Sequence, residues 1–147
     1  MKIKKSLYVF SLVFLTVFLM KPEYLKAQDT YNYYALEYFK KSLECLISGD
    51  YDNAILNCSQ VLIRDPNSSV TYTIRARSYY EKGDMTKAID DCTKAIGIDK
   101  NNISAYIVRA KAYSSRGSDD RAARDWLTVL RLDPHNDEAK RFSMQME

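Results

Sequence analysis

The sequence predicts an all-α domain: an α-solenoid of three 34-residue helix-turn-helix repeats followed by a C-terminal capping helix. The first observation is that glycine, alanine and aspartate each recur every 34 residues. The three sets are Gly49, Gly83 and Gly117; Ala54, Ala88 and Ala122; and Asp65, Asp99 and Asp133. The second observation is that apolar and small residues between these points fall at i, i+4 and i+7, which is one face of an α-helix. A fixed period of this size is typical of stacked helical repeats.

The first 27 residues differ in composition from the rest of the chain. They contain five Lys and one Glu, and the run from Ser6 to Met20 carries no charge. A basic start followed by an apolar run of this length is typical of a secretory signal peptide, whereas a membrane span needs about 20 apolar residues. Because Leu25–Ala27 is an acceptable cleavage sequence, we expect 1–27 to be a signal peptide and the chain to be exported, periplasmic or secreted. The alternative is an uncleaved anchor, and a membrane is expected as a partner only in that case.

The turn residues divide the remaining chain into repeats. In the second repeat, Gly83 gives the backbone the freedom to turn, and Asp84 can cap the helix that follows. The predicted segments are repeat 1 with an N-terminal extension, 28–68; repeat 2, 69–102; repeat 3, 103–136; and the capping helix, 137–147. Helices are expected to end within a few residues of Gly49, Pro66, Gly83, Asn101, Gly117 and Pro134.

Each repeat also has the same order of residue types. An aromatic, a small and a second aromatic or apolar residue mark the first helix, and an Ala opens the core stripe of the second. This order resembles the tetratricopeptide repeat, and the resemblance covers about 28–147. Cys58 and Cys92 depart from it by standing where an aromatic is usual, and Lys100 replaces a Pro. Basic residues occupy a position where Leu is commoner, namely Lys41, Arg75 and Arg109. We expect their stems to lie over apolar neighbours.

The three cysteines are predicted to be free thiols. In a hairpin that turns at Gly49, Cys58 lies about one helical turn further along the axis than Cys45 and on the neighbouring helix. That separation exceeds the roughly 7 Å limit between the Cα atoms of a disulfide. Cys58 and Cys92 hold equivalent positions in successive repeats, again a helix diameter or more apart. We therefore interpret all three as small apolar fillers of the interior.

The composition does not favour catalysis. There is one histidine, His135, and the sequence has no Gly-rich phosphate loop and no spacing of paired metal ligands. Asp90 and Asp91 are adjacent on a helix and are interpreted as part of a solvated face. Beyond residue 27 the acidic and basic residues are nearly balanced, which does not favour nucleic acid as a partner. We expect no enzyme activity, no cofactor and no metal.

A second stripe predicts the binding surface. It lies one residue beyond the core stripe of each first helix, and the matching positions of tetratricopeptide stacks line the concave face. The predicted groove residues are Phe39, Leu43 and Leu46; Thr73, Arg77 and Tyr80; and Ile107, Lys111 and Ser114. This set is apolar in the first repeat and basic in the other two, which indicates a partner with an apolar anchor and an acidic flank. Alternatively, Phe39 and its neighbours pack under the extension at 29–34, and the basic residues are ordinary solvated charges.

The resemblance implies a scaffold that binds a protein or peptide partner. The alternative function is a membrane-anchored structural component of an envelope or secretion assembly. Some tetratricopeptide domains hold the terminal carboxylate of cytosolic chaperones with a clamp of Lys, Asn, Asn, Lys and Arg. The matching positions here are Phe39, Leu43, Ile74, Ser104 and Val108. None of them carries a basic or amide side chain, so this mode of binding is not expected.

Overall fold

The computed structural model describes residues 29–30 and 32–144. The chain divides into two compact units, Met1–Tyr34 and Ala35–Glu147. The described residues of the first unit are helical. The predicted signal peptide, 1–27, and the last three residues of the predicted capping helix lie outside the described residues. From residue 35 onward, the predicted helical repeats lie in the second unit.

The second unit consists of helices, and no strand occurs among the described residues. Helical residues run from 32 to 48, and the part of this helix within the second unit, 35–48, is α1. The others are α2, Tyr51–Arg64; α3, Ser69–Glu81; α4, Met85–Ile98; α5, Ile103–Ser115; α6, Asp119–Leu132; and α7, Asp137–Met144. Each break between these helices contains or adjoins one of the predicted turn residues. The all-α prediction, with helix pairs and a final helix, is confirmed.

Glycine is required at the turn inside each repeat. Gly49, Gly83 and Gly117 have φ angles of +80°, +90° and +69°, a region that side chains with a Cβ rarely adopt. After the first glycine, Asp50 donates its backbone N–H to the carbonyl of Cys45 at 2.9 Å, and the other two turns repeat this bond. This is the Schellman motif, which satisfies the last carbonyls of α1, α3 and α5.

Polar side chains begin the helices that follow each repeat boundary. Ser68, Asn102 and Asn136 accept the backbone N–H groups of Thr71, Ala105 and Ala139, three residues further on. These three caps are themselves 34 residues apart. Since such a cap contributes about 1 kcal/mol, the boundaries between repeats are encoded locally as well as by packing.

The interior is lined by the small residues of the repeat. Each helix from α1 to α6 places one of them where its exposure is 0%: Ser42, Ala54, Ala76, Ala88, Ala110 and Ala122. Neighbouring helices contact one another in sequence order from α2 to α7, and α3 also contacts α5. Small side chains at these points allow the helix axes to approach closely.

Two of the three cysteines fill this interior. Cys58 and Cys92 have an exposure of 0%, and all three thiols are free. Burial raises the pKa of Cys58 to about 11 and that of Cys92 to about 12. Both are therefore neutral thiols at ordinary pH, as expected for apolar fillers. Cys45 differs, because it is only half-buried and accepts a long hydrogen bond from Asn57.

The last helix closes the third repeat. Ala139 of α7 is fully buried, and Phe142 stacks on Trp126 of α6 with ring centroids 5.7 Å apart. Together with Ala122 and Val129 these residues form one apolar cluster. The helix therefore covers the apolar face at the end of the third repeat.

A pair of substitutions on α4 tests the packing. Ala88→Leu adds methylenes at a fully buried position, and we expect the free energy of unfolding to fall by about 1–3 kcal/mol. Asp90→Leu changes an exposed position two residues away and should change stability by less than about 0.5 kcal/mol. Urea denaturation followed by circular dichroism measures both. Equal shifts in the two variants would contradict the placement of Ala88.

Candidate functional site

A groove of about 710 Å³ lies on one side of the stack. Among the described residues, its lining comes from the first helix of each repeat, from α7 and from capping residues that precede these helices. The lining residues on the helices are Phe39, Leu43 and Leu46 of α1; Val70, Thr73, Ile74, Arg77, Tyr80 and Glu81 of α3; Ser104, Ile107, Val108 and Lys111 of α5; and Asp137 and Glu138 of α7. Asn102 and Asn136 complete it. The volume falls in the usual range for ligand sites.

All but one of the predicted groove residues line this surface. Phe39, Leu43 and Leu46 form its end at the first repeat and are half-buried. The exception is Ser114, which is exposed near the end of α5 and does not contribute to the lining. Eight residues of the second stripe thus lie along one groove, and their role in partner binding remains a prediction.

The predicted set omitted half of the lining. The missed residues are Val70, Glu81, Asn102, Asn136, Asp137 and Glu138, whereas Ile74, Ser104 and Val108 entered only as positions that match the carboxylate clamp. A signal for several of them was available in the repeat itself. Val70, Ser104 and Glu138 are spaced by 34 residues and so share one structural position, as do Asn102 and Asn136. Applying the period to every position, and not only to the apolar ones, would have identified them.

Buried ion pairs hold the inner helices in place. The Arg75 guanidinium of α3 binds the Asp91 carboxylate of α4 with two hydrogen bonds, Nε to Oδ2 at 2.6 Å and Nη2 to Oδ1 at 2.9 Å. Arg109 of α5 binds Asp125 of α6 in the same way, with both distances 2.8 Å. Two parallel bonds fix the orientation of both side chains as well as their distance.

Each arginine also reaches the preceding repeat. The remaining nitrogen of the Arg75 guanidinium, Nη1, donates to the Ser59 hydroxyl on α2 at 3.0 Å. Nη1 of Arg109 likewise donates to the Thr93 hydroxyl on α4 at 3.2 Å. One guanidinium therefore connects three helices of two repeats. Burial alone lowers the pKa of Arg75, but the hydrogen bond and the charge of Asp91 outweigh it, and its net pKa is raised.

These pairs correct two expectations from the sequence. Asp91 is only 3% exposed and belongs to the interior, whereas Asp90 beside it is exposed as predicted. The arginines do more than lay their stems over apolar neighbours, because their charged ends are paired. The first repeat has no such pair: Lys41 binds Glu37 on its own helix at 2.8 Å, and Asn57 takes the place of the aspartate.

The groove is not basic, in contrast to the sequence-based expectation. Lys111 of α5 forms an ion pair with Glu138 of α7 at 2.8 Å. Arg77 lies 3.9 Å from Glu81 on its own helix. With Asp137 also in the lining, two cations face three carboxylates. The lining holds one more carboxylate than cations because α7 and the end of α3 contribute acidic residues that the predicted stripe did not include.

In the described part of the chain, no three His, Cys, Asp or Glu residues are grouped so that they could hold a metal ion. Across residues 29–144, apart from the one that is not described, no helix has the length and apolarity needed to cross a membrane. The groove is therefore the feature on which a functional proposal rests.

Residues 70–102, which form the second helical pair, match the family model described as tetratricopeptide repeat. The fold matches that of tetratricopeptide repeat domains. Among solved structures, the tetratricopeptide repeat domain of OM64 from Arabidopsis is 27% identical, with a TM-score of 0.74, and the match covers 76% of this chain and 92% of that one. The chain is therefore similar to tetratricopeptide repeat domains in the sequence of one helical pair and in its fold.

Two further similar structures contain peptides. The first tetratricopeptide repeat domain of Spaghetti (RPAP3), bound to the HSP90 peptide SRMEEVD, is 29% identical, with a TM-score of 0.73, over 76% of this chain and 88% of that one. The second such domain of human RPAP3, in complex with the HSP70 peptide SGPTIEEVD, is 26% identical, with a TM-score of 0.72, over 76% and 92%. Among curated protein sequences, none matches this chain significantly.

Removing one partner of a buried ion pair tests its role in the stack. Asp91→Ala leaves the Arg75 guanidinium largely buried without its carboxylate, and we expect the free energy of unfolding to fall by about 3 kcal/mol. Replacing both residues by Leu should restore most of that loss, since no unpaired charge remains. Asp90→Ala is the control, with an expected change under about 0.5 kcal/mol. Equal losses for Asp91→Ala and Asp90→Ala in urea denaturation would contradict this reading.

Proposed function

We propose that this chain is an exported protein-interaction module that holds a segment of a partner protein in the groove of its helical stack. The observation that carries the proposal is the apolar lining at the first repeat, where Phe39, Leu43 and Leu46 stand half-buried beside an open groove. Val70 adds to it from α3 with 57% of its surface exposed. Apolar side chains clustered in a concave surface are typical of binding sites.

The similar structures support a protein or peptide as the partner. Two of them, those of Spaghetti and of human RPAP3, are bound to peptides of HSP90 and HSP70. The same type of ligand does not follow for this chain. Phe39, Leu43, Ile74, Ser104 and Val108 all line the groove, and they stand at the positions where a carboxylate clamp needs basic and amide side chains. A terminal carboxylate there would face a mainly apolar surface.

Export is the second part of the proposal, and it rests on the sequence. The basic start and uncharged run of residues 1–27 are typical of a signal peptide. Export also agrees with the absence of the clamp residues, because a protein outside the cytoplasm does not meet cytosolic chaperones. A binding module needs no catalytic group, and we propose no enzymatic reaction for this chain.

Groove substitutions test the binding role. We expect Phe39→Ala and Arg77→Glu each to weaken capture of the native partner with little change in melting temperature, because both side chains face the groove. The measurement is a crosslinked pull-down from the envelope fraction, with the chain as bait. The matched controls are Leu56→Ala and Arg124→Glu, two exposed positions on outer helices, which should capture as much partner as the unchanged chain.

A different result is expected if the groove does not bind the partner. If Phe39 belongs to the core, Phe39→Ala should lower stability by about 3–5 kcal/mol, as for a buried Phe. Arg77→Glu should then leave capture unchanged. That combination, or equal capture by all four variants, would remove the groove from the function.

Mass spectrometry of the chain from its native host tests export. We expect a mature protein that begins at Gln28, because Ala27 ends the cleavage sequence. Recovery of the mature form outside the cytoplasm completes the test. A mass that still includes residues 1–27, in protein recovered with the membrane, would favour the anchored structural component instead.

A further inference from the structure

The polar groups at the floor of the groove are already used within the chain. The Asn102 side chain donates to the hydroxyls of Ser69, at 2.7 Å, and Thr73, at 2.9 Å, and its oxygen accepts the N–H of Ala105. Ser69 and Thr73 in turn donate to the backbone carbonyls of Ala95 and of Ser69 itself. The Ser69 and Thr73 hydroxyls thus each accept a hydrogen bond from Asn102 and donate one to a backbone carbonyl. The network therefore leaves no donor free for a ligand at this point.

The charged groups of the groove are engaged as well. Lys111 and Glu138 bind each other across α5 and α7, and Arg77 lies near Glu81. Among the described residues, the hydroxyls of Tyr80 and Ser104 make no hydrogen bond and remain available. A ligand in the groove therefore finds an apolar wall with two hydroxyls and few unpaired charges.

This composition discriminates between two ligand conformations. An extended peptide brings one backbone N–H and one C=O per residue, and those that turn toward the groove need partners. Such groups cost free energy when they lose water without gaining a hydrogen bond. An α-helix satisfies its backbone groups internally and can present side chains alone to an apolar surface.

We propose that the groove binds an amphipathic α-helix of the partner protein, with apolar anchors at i, i+3 or i+4, and i+7. This inference rests on the proposed function. The anchors lie against Phe39, Leu43 and Leu46 of α1, Val70 of α3 and Ile107 of α5. A basic residue on the flank of the helix fits the end formed by α7, where Asp137 makes no ion pair with any described residue and the lining holds one carboxylate more than cations.

A displayed library of random 16-residue peptides, panned on the full chain, tests the conformation. Peptides are kept when Val70→Glu weakens their binding by about tenfold or more and Leu56→Glu does not. These two substitutions are matched, since Val70 and Leu56 are 57% and 56% exposed and only Val70 faces the groove. Leu46→Glu serves as a second groove variant if Val70→Glu fails to fold.

The selected peptides are then examined one by one. We expect apolar residues at helical spacing, a gain of helical circular dichroism on binding, and a loss of at least about tenfold when Pro replaces a central residue. Pro at the first helical position should be tolerated, because that N–H has no intrahelical partner. The proposal of a helical ligand is wrong if groove-dependent peptides tolerate a central Pro or need a free C-terminal carboxylate. The proposed function stands in that case.

Two further outcomes would overturn more than the helical conformation of the ligand. If no peptide depends on the groove, or if Val70→Glu and Leu56→Glu reduce binding equally, the proposed function itself fails. Sedimentation of the full chain tests whether a second copy of the chain occupies the groove. A dimer that forms with rising concentration and disappears in Val70→Glu would overturn the proposal of a partner helix.

Discussion

Close packing at small residues is the constraint on which the stack depends. Each of the six helices of the three repeats has at least one serine or alanine with 0% exposure. At helix separations of about 8–10 Å, such positions leave no room for longer side chains. The spacing between the inner helices sets the width of the groove, so the same small residues that stabilise the interior also determine the shape of the candidate site.

The buried arginine and aspartate pairs add orientation to this packing. A pair of this kind contributes little net stability compared with an apolar pair, but it is costly to break. Its geometry is therefore more informative than its energy, because Arg75 and Arg109 each connect two helices of one repeat with one helix of the repeat before. The first repeat lacks the pair, and α1 buries only Ser42, whereas α3 buries six residues. A partner that covers Phe39, Leu43 and Leu46 would add contacts to the helix that has few of its own.

The groove illustrates how one fold carries different surfaces. The chain is similar in fold to domains that are bound to peptides, while five positions that match the carboxylate clamp of some tetratricopeptide domains carry no basic or amide side chain here. The interior is constrained by packing and the groove is not, so the lining can change without loss of the fold. Function in this chain therefore depends on which groups of the lining are free to bind a partner, and the fold alone does not determine it.

The sequence alone determined the helices, the turns and a stripe of residues that supplies about half of the groove lining. Gly83 and its counterparts need a positive φ, and Ala88 and its counterparts need a close approach, so a local requirement appears at every 34th residue. The tertiary structure alone decided which charges meet. Arg75 and Asp91 are 16 residues apart on different helices, and Asp90 is an equally plausible partner until the rotation of α4 against α3 is known. The same reason explains the charge of the groove, because Glu138 reaches Lys111 only once α7 packs against the third repeat. Periodicity identifies the faces of single helices, but contacts between faces depend on how the helices pack.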